Sequence, residues 1–180
     1  MHEKRFRGDI TRLRNPERIA RLEVERVTSL CLEGARITRV LDVGTGTGLF
    51  AEAFARRGLA VCGVDANPGM LTAAKATVPA GDFHESTAEA LPYADASFDL
   101  VFMGLLLHES DEQLQVLSEA RRVARTKVGI LEWAYREEEF GPPLEHRLPA
   151  DLLKDLAIEA GFLQFEIISL TKLVFYRLTI

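Results

Sequence analysis

Val40-Leu41-Asp42-Val43-Gly44-Thr45-Gly46-Thr47-Gly48-Leu49-Phe50 decides the fold. An apolar run carries an aspartate two residues before a glycine, and three glycines follow at a spacing of two. Behind them Leu49, Phe50, Ala53 and Phe54 recur at helical spacing as far as Arg57, where Gly58 supplies a stop. The stretch reads as strand, glycine turn and amphipathic helix, the opening unit of an α/β sheet. Such a turn lets the backbone approach a small ligand, because no Cβ stands in the way.

Upstream, Asn15-Pro16-Glu17 is a capping residue followed by proline at the first helical position, and it predicts one helix running to Gly34. The first strand spans Arg39 to Val43. A second, Leu59 to Val64, is apolar on both faces, as a buried parallel strand should be. A helix starts near Pro68, a short strand covers Phe83 to Ser86, and a fourth strand covers Phe98 to Met103. A helix over 111–124 precedes a fifth strand from Lys127 to Trp133, with a turn at Arg125-Thr126-Lys127. After Gly141-Pro142-Pro143 comes a helix from Pro149 to Ala160, then two strands joined at Thr171-Lys172. That join is too short for a crossover helix, so the last two strands pair antiparallel. The expected fold is a doubly wound α/β sheet of seven strands, mostly parallel with an antiparallel last strand. Ligands of such sheets lie outside the carboxyl ends of the strands. The loops opening at Gly44, Asp65, Thr87 and Gly104 should therefore form one site.

The chain has 180 residues, of which 47% are hydrophobic and 27% charged, enough for one domain with one sizeable core. Its longest apolar run, Leu100 to Leu107, is far short of the roughly 20 residues that span a bilayer, so no membrane association is expected. No apolar stretch follows Met1-His2-Glu3-Lys4-Arg5, which reads against a secretory signal and points to the cytoplasm. Cys31 and Cys62 sit in apolar stretches without metal-ligand spacing, and read as buried free thiols. His84, His108 and His146 likewise lack paired spacing, so no metal is expected. A net charge of −5 argues against a nucleic-acid partner. Residues 1–26 nevertheless carry eight Lys/Arg against five Asp/Glu. That segment reads either as a solvated, ion-paired helix or as a basic flap over an acidic substrate.

The glycine spacing bears on the cofactor. A nicotinamide or flavin loop needs G-x-G-x-x-G, and its third glycine would fall at position 49, which is Leu49. A Walker loop needs Gly-Lys-Ser/Thr, and no lysine is present here. The pattern Asp-x-Gly-x-Gly-x-Gly, followed by Val64-Asp65-Ala66-Asn67-Pro68-Gly69-Met70-Leu71, Ala88-Glu89-Ala90-Leu91-Pro92-Tyr93, Ser97-Phe98-Asp99-Leu100-Val101 and Glu119-Ala120-Arg121-Arg122-Val123, resembles the class I S-adenosylmethionine-dependent methyltransferases of the small type 11 kind. The resemblance covers about residues 15–180.

It implies a Rossmann-like sheet in the strand order 3-2-1-4-5-7-6, S-adenosylmethionine as cofactor, S-adenosylhomocysteine as product, and a site whose residues can be named. Gly44, Thr45, Gly46 and Gly48 would cradle the amino-acid moiety, with Asp42 anchoring the loop and the cationic amine. Asp65, 21 residues after Gly44, would accept the ribose hydroxyls; otherwise it caps the following helix. Ala66, Asn67 and Met70 would flank the adenine. The family carries an aspartate where this chain has Thr87, so Thr87, Ala88 and Glu89 would serve the ring with a weaker, uncharged acceptor. Met103 and Gly104, closing the fourth strand beside these loops, would complete the set of cofactor-binding residues. His108 is the catalytic candidate, with loop shaping as its alternative role. No substrate-recognition domain is evident, so the acceptor is expected to be a small molecule. Residues 1–33 form the candidate helical lid on a methyltransferase domain spanning 34–180. A catalytically idle module that binds the same cofactor is the alternative reading. An NAD-dependent oxidoreductase conflicts with Leu49. The sequence carries no sign of oligomeric state.

Overall fold

The structure is a computed structural model that describes residues 10–180. The expected lid and the basic segment lie partly outside the described residues.

Seven strands make one sheet: β1 (Arg39–Val43), β2 (Ala60–Asp65), β3 (Asp82–Glu85), β4 (Phe98–Gly104), β5 (Ala124–Trp133), β6 (Gln164–Ser169) and β7 (Leu173–Thr179). Their order is β3-β2-β1-β4-β5-β7-β6, as the sequence predicts. The first five pair in parallel, and β7 runs antiparallel between β5 and β6. The helices are α1 (Ile10–Leu13), α2 (Pro16–Leu22), α3 (Val24–Leu32), α4 (Leu49–Arg56), α5 (Pro68–Thr77), α6 (Gln113–Val123) and α7 (Ala150–Glu159).

The pleat divides the core into two layers. Leu41 and Val43 of β1 and Val101 and Met103 of β4 point to one face, where Leu117 of α6 and Leu153 of α7 cover them. Val40, Leu100 and Phe102 point to the other, against Val27 and Cys31 of α3 and Phe54 of α4. Both central strands are therefore apolar on both sides, as a parallel sheet wrapped by helices requires. Cys31 and Cys62 are free and buried, as expected, and burial pushes the Cys31 thiol far above its ordinary range.

The structure corrects the sequence reading in two places. The single helix expected from Pro16 to Gly34 is two, α2 and α3, broken at Glu23, which adopts φ 47. The break lets the Glu23 carboxylate accept the backbone N–H of Thr171 at 2.8 Å while it pairs with Arg26 at 2.9 Å, which ties the helical joint to the β6–β7 turn. Hydrophobic periodicity continues across such a joint and does not reveal it. The expected turn at 125–127 is also absent, because β5 begins at Ala124, directly after α6. A register shift between Phe98 and Leu100 absorbs the extra residues.

Asp99 sits in that irregularity and explains it. Its Oδ2 accepts the backbone N–H of Thr38 (2.9 Å) and of Arg39 (3.1 Å) and the Thr38 hydroxyl (2.7 Å), while Oδ1 meets Arg125 at 2.7 Å. One carboxylate thus joins the starts of β1, β4 and β5 at the end of the sheet away from the glycine turn. The Thr38 hydroxyl, the two backbone donors and Arg125 hold its pKa below the usual carboxylate value, against the opposing effect of burial. Asp99→Ala should destabilise the fold by roughly 2–4 kcal/mol in urea unfolding near neutral pH. A depressed folded-state pKa contributes stability that is lost as pH falls through it. The variant should therefore differ less from the parent in acid than at pH 7, and an equal difference at both would refute this role.

Candidate cofactor and acceptor site

The carboxyl ends of β1 to β5 open into one cavity of about 950 Å³. Its floor is the turn after β1. Gly44 has φ +68, and a Cβ there would stand 2.8 Å from Leu106 Cδ1, so only glycine lets the loop after β4 fold down onto the turn. Leu105 adopts φ 58, an uncommon conformation for leucine, and its N–H is held by Leu131 O at 2.8 Å. That bend brings Leu106 over Gly44.

The N–H groups of the turn have protein acceptors. Thr45 N–H goes to Val64 O at 2.9 Å, and Gly46 N–H goes to Asp65 Oδ2 at 2.9 Å. Asp65 Oδ1 accepts Asn67 N–H, also at 2.9 Å. Asp65 thus stands at the end of β2, where nucleotide-binding sheets carry a carboxylate for ribose hydroxyls. Each Asp65 oxygen keeps a second lone pair for a ligand hydroxyl. Asp42 is 2% exposed and accepts the Thr45 hydroxyl at 2.7 Å. Burial pushes its pKa up to about 7, against the Thr45 and Ala51 hydrogen bonds, and no salt bridge to a cationic side chain relieves it among the described residues. A buried carboxylate of this kind on a cavity wall is complementary to an ammonium group.

Most of the residues named from sequence meet in this cavity. Asp42, Gly44, Thr45 and Gly46 line it from β1 and its turn, and Asp65, Ala66, Asn67 and Met70 from the end of β2 and the start of α5. Thr87, Ala88 and Glu89 follow β3, and Gly104 and His108 follow β4. Asn67 caps α5 by accepting Gly69 N–H at 2.9 Å. Glu89 accepts the Ser110 hydroxyl at 2.8 Å, which locks the third loop to the fourth. Glu119 and Arg122 of α6 fix the segment behind them: Glu119 accepts Leu91 N–H at 2.8 Å, and Arg122 donates to Leu91 O and Tyr93 O.

Gly48 and Met103 lie elsewhere. Gly48 begins α4, and a Cβ on it would meet the Ala74 backbone at 3.0 Å, so this glycine permits α4 and α5 to approach closely. Met103 is fully buried in the core beneath the cavity.

His108 is 6% exposed and bonds Glu132, itself 1% exposed, in two ways. Its Nδ1 lies 2.8 Å from Oε2, and its backbone N–H donates to Oε1 at 3.1 Å. Burial opposes the imidazolium, but the charge and hydrogen bond of Glu132, with Glu109 beyond, raise the His108 pKa above the usual value. Arg147 works weakly against this rise.

The remaining wall was not assigned from sequence. Arg12, Arg18 and Arg21 reach it from the N-terminal helices, and Trp133, Phe140 and Gly141 reach it from β5 and the segment that follows. The eight basic residues within 1–26 were the available signal for the arginines. Nothing in the order of residues reveals that Arg147 organises the segment after β5. It is 4% exposed and donates to the carbonyls of Ala134, Arg136, Phe140 and Pro142 at 2.6 to 3.0 Å. Gly141 packs against the Trp133 ring so closely that a Cβ would sit 2.8 Å from it.

The methyltransferase domain model of the type 11 family matches residues 41–130, half of the chain. The chain belongs to this family, within the class I S-adenosylmethionine-dependent methyltransferases. It is 39% identical over 95 residues to a demethylmenaquinone methyltransferase of Chlorobaculum parvum, covering 52% of this chain and 39% of that protein. It is 38% identical over 104 residues to a demethylmenaquinone methyltransferase of Renibacterium salmoninarum, covering 58% and 44% respectively. The chain thus spans less than half the length of these curated relatives. Among solved structures it resembles a SAM-dependent methyltransferase from Aquifex aeolicus, with a TM-score of 0.85 at 24% identity over 95% of this chain and 96% of that one. It also resembles the [4+2]-cyclase SpnF, with a TM-score of 0.66 at 28% identity over 81% of this chain and 60% of that one.

The wall fits the family cofactor on its own chemistry. It offers a buried carboxylate without a cationic partner among the described residues for an amine, and spare carboxylate lone pairs for a diol. Among the described residues no group of three or more His, Cys, Asp and Glu is arranged to hold a metal ion. No described helix is long and apolar enough to cross a membrane.

Arg147→Leu should strip four carbonyls of their donor and loosen residues 134–147, at a cost of roughly 2–4 kcal/mol. Trp133 is the only tryptophan, so the change is readable as an emission shift together with faster proteolysis near Phe140. Parent-like emission and proteolysis would contradict this role.

Proposed function

We propose that this protein transfers a methyl group from S-adenosylmethionine to a small-molecule acceptor, leaving S-adenosylhomocysteine. The observation that carries the reading is the pair of carboxylates on one cavity wall: Asp42, buried without a salt bridge among the described residues, and Asp65, whose oxygens hold the glycine turn and the start of α5 and keep lone pairs for a diol. Asp65 holds the ribose hydroxyls, while Asp42 and Gly44 hold the amine end. Ala66, Asn67, Met70, Thr87 and Ala88 flank the adenine. When bound, the cofactor supplies a methyl carbon activated by positive sulfur.

The chain's own part is to place a nucleophile in line with that carbon, dry and close. Trp133 and Phe140 shield the cavity on the acceptor side. Glu132 holds His108 by Nδ1 and leaves Nε2 as the ring nitrogen with no hydrogen-bond partner among the described residues. With Nδ1–H donated to Glu132, neutral His108 can accept at Nε2 the proton that an acceptor hydroxyl or amine loses.

Calorimetry with S-adenosylhomocysteine tests the cofactor assignment. Asp65→Ala should weaken binding by roughly 1–3 kcal/mol through the loss of charged hydrogen bonds. No binding to the parent at millimolar ligand would end the proposal, and unchanged affinity in the variant would remove Asp65 from the site.

A proton NMR titration tests the His108–Glu132 pair. The His108 imidazole should titrate above about 6.5, and Glu132→Gln should bring it below that value, because burial remains while the counter-charge is gone. A raised folded-state pKa stabilises the fold at low pH, and that contribution is lost as pH rises through it. An imidazole that titrates at the same pH in both proteins would exclude the pair.

A further inference from the structure

The cavity wall opposite the glycine turn carries positive charge that the cofactor reading does not use. Arg18 and Arg21 lie three apart on α2, and both line the cavity. The Arg21 guanidinium stacks over the Phe140 ring at 3.7 Å, and Arg18 Nη1 donates to Leu13 O at 3.1 Å. Neither forms a salt bridge with a described carboxylate, whereas Arg14, Arg26, Arg56 and Arg57 nearby all do. Burial, then the like charge of Arg21, lowers the Arg18 pKa against an opposing contribution from Glu109. Two half-buried guanidiniums held together, neither in a salt bridge with a described carboxylate and only Arg18 offset by the more distant charge of Glu109, are a costly arrangement that a ligand anion would relieve.

Position decides which ligand. Arg14 is the arginine that reaches the glycine turn, donating to Thr47 O and Thr47 Oγ1, and it is already paired with Glu52. Arg18 and Arg21 instead face Glu109 after β4 and Phe140 after β5, the side left to the acceptor. Arg12, Arg18 and Arg21 against Glu109 and Glu139 on the same wall leave one net positive charge, which suits a single negative charge and disfavours a dianion. The planar fork of a guanidinium matches a carboxylate edge, and Phe140 orients the Arg21 fork by stacking.

We infer that Arg18 and Arg21 form a carboxylate seat, and that the methyl acceptor is a small carboxylic acid held by it. This rests on the reading of the cavity as a shared cofactor and acceptor site. The seat fixes specificity without touching the methyl carbon.

Ligand-observed NMR with matched pairs of acids and amides tests it: benzoate against benzamide and hexanoate against hexanamide, with the full chain saturated with S-adenosylhomocysteine. The acids should bind at least about tenfold tighter than their amides. Arg18→Gln with Arg21→Gln should reduce the acids to the level of the amides. Calorimetric affinity for S-adenosylhomocysteine should stay within about threefold of the parent, as expected for a site that does not share these side chains. Equal binding of acids and amides, or binding of neither, overturns the proposal. So does a tenfold loss of S-adenosylhomocysteine affinity in the double variant, since the arginines would then serve the cofactor's own carboxylate. If S-adenosylhomocysteine does not bind the parent, the cofactor reading has failed, and the acid–amide comparison on the protein alone still decides the seat. Either single variant replaces the double one if the latter unfolds early by circular dichroism.

Discussion

The structure depends on one constraint: β1 and β4 are covered by helices on both faces. From Val40 to Val43 and from Phe98 to Met103 a polar side chain has almost nowhere to go. The two that occur, Asp42 and Asp99, lie towards opposite ends of the sheet and meet their needs differently. Asp99 finds four donors and welds three strand starts together. Asp42 finds too few and keeps an unmet demand for positive charge, facing the cavity. Stability and binding are thereby separated along the strand axis.

Much of this was legible in the sequence because it follows from local rules. The pleat period, the glycine turn and the short join at Thr171-Lys172 specify seven strands and the antiparallel closing pair, the family resemblance supplies their order, and the carboxyl-end rule places the loops. What escaped is set by contacts distant in sequence. The break at Glu23 exists to reach Thr171, and the early start of β5 follows from Asp99 meeting Arg125. Gly48 resembles its neighbours in the turn, yet its neighbour in space is Ala74 of another helix. Met103 ends a strand that points at the site, but the pleat turns its side chain into the core. Arg147 is one of many surface-type arginines until the carbonyls of four other residues converge on it.

Likeness of fold leaves the chemistry open, as a resemblance that spans both a methyltransferase and a [4+2]-cyclase illustrates. In the proposed reading the glycine turn and the loop after β2 hold the cofactor, and the acceptor would meet the segments on the other side of the cavity, namely α2, the loop after β4 and the segment pinned by Arg147. There the charges change from acidic to basic within one wall.

The joint at Glu23 also bears on the order in which the molecule assembles. Its partner, Thr171, is 148 residues further along the chain, so during synthesis α2 has no anchor at this joint until nearly all of the sheet has emerged. A contact of such long sequence separation closes late, because the loop entropy must first be spent on the intervening strands. Strands β1 to β5 and their glycine turn can therefore be in place while this joint is still open. A newly made chain would pass through a stage in which the floor of the cavity exists before the Glu23–Thr171 contact is made beside α2.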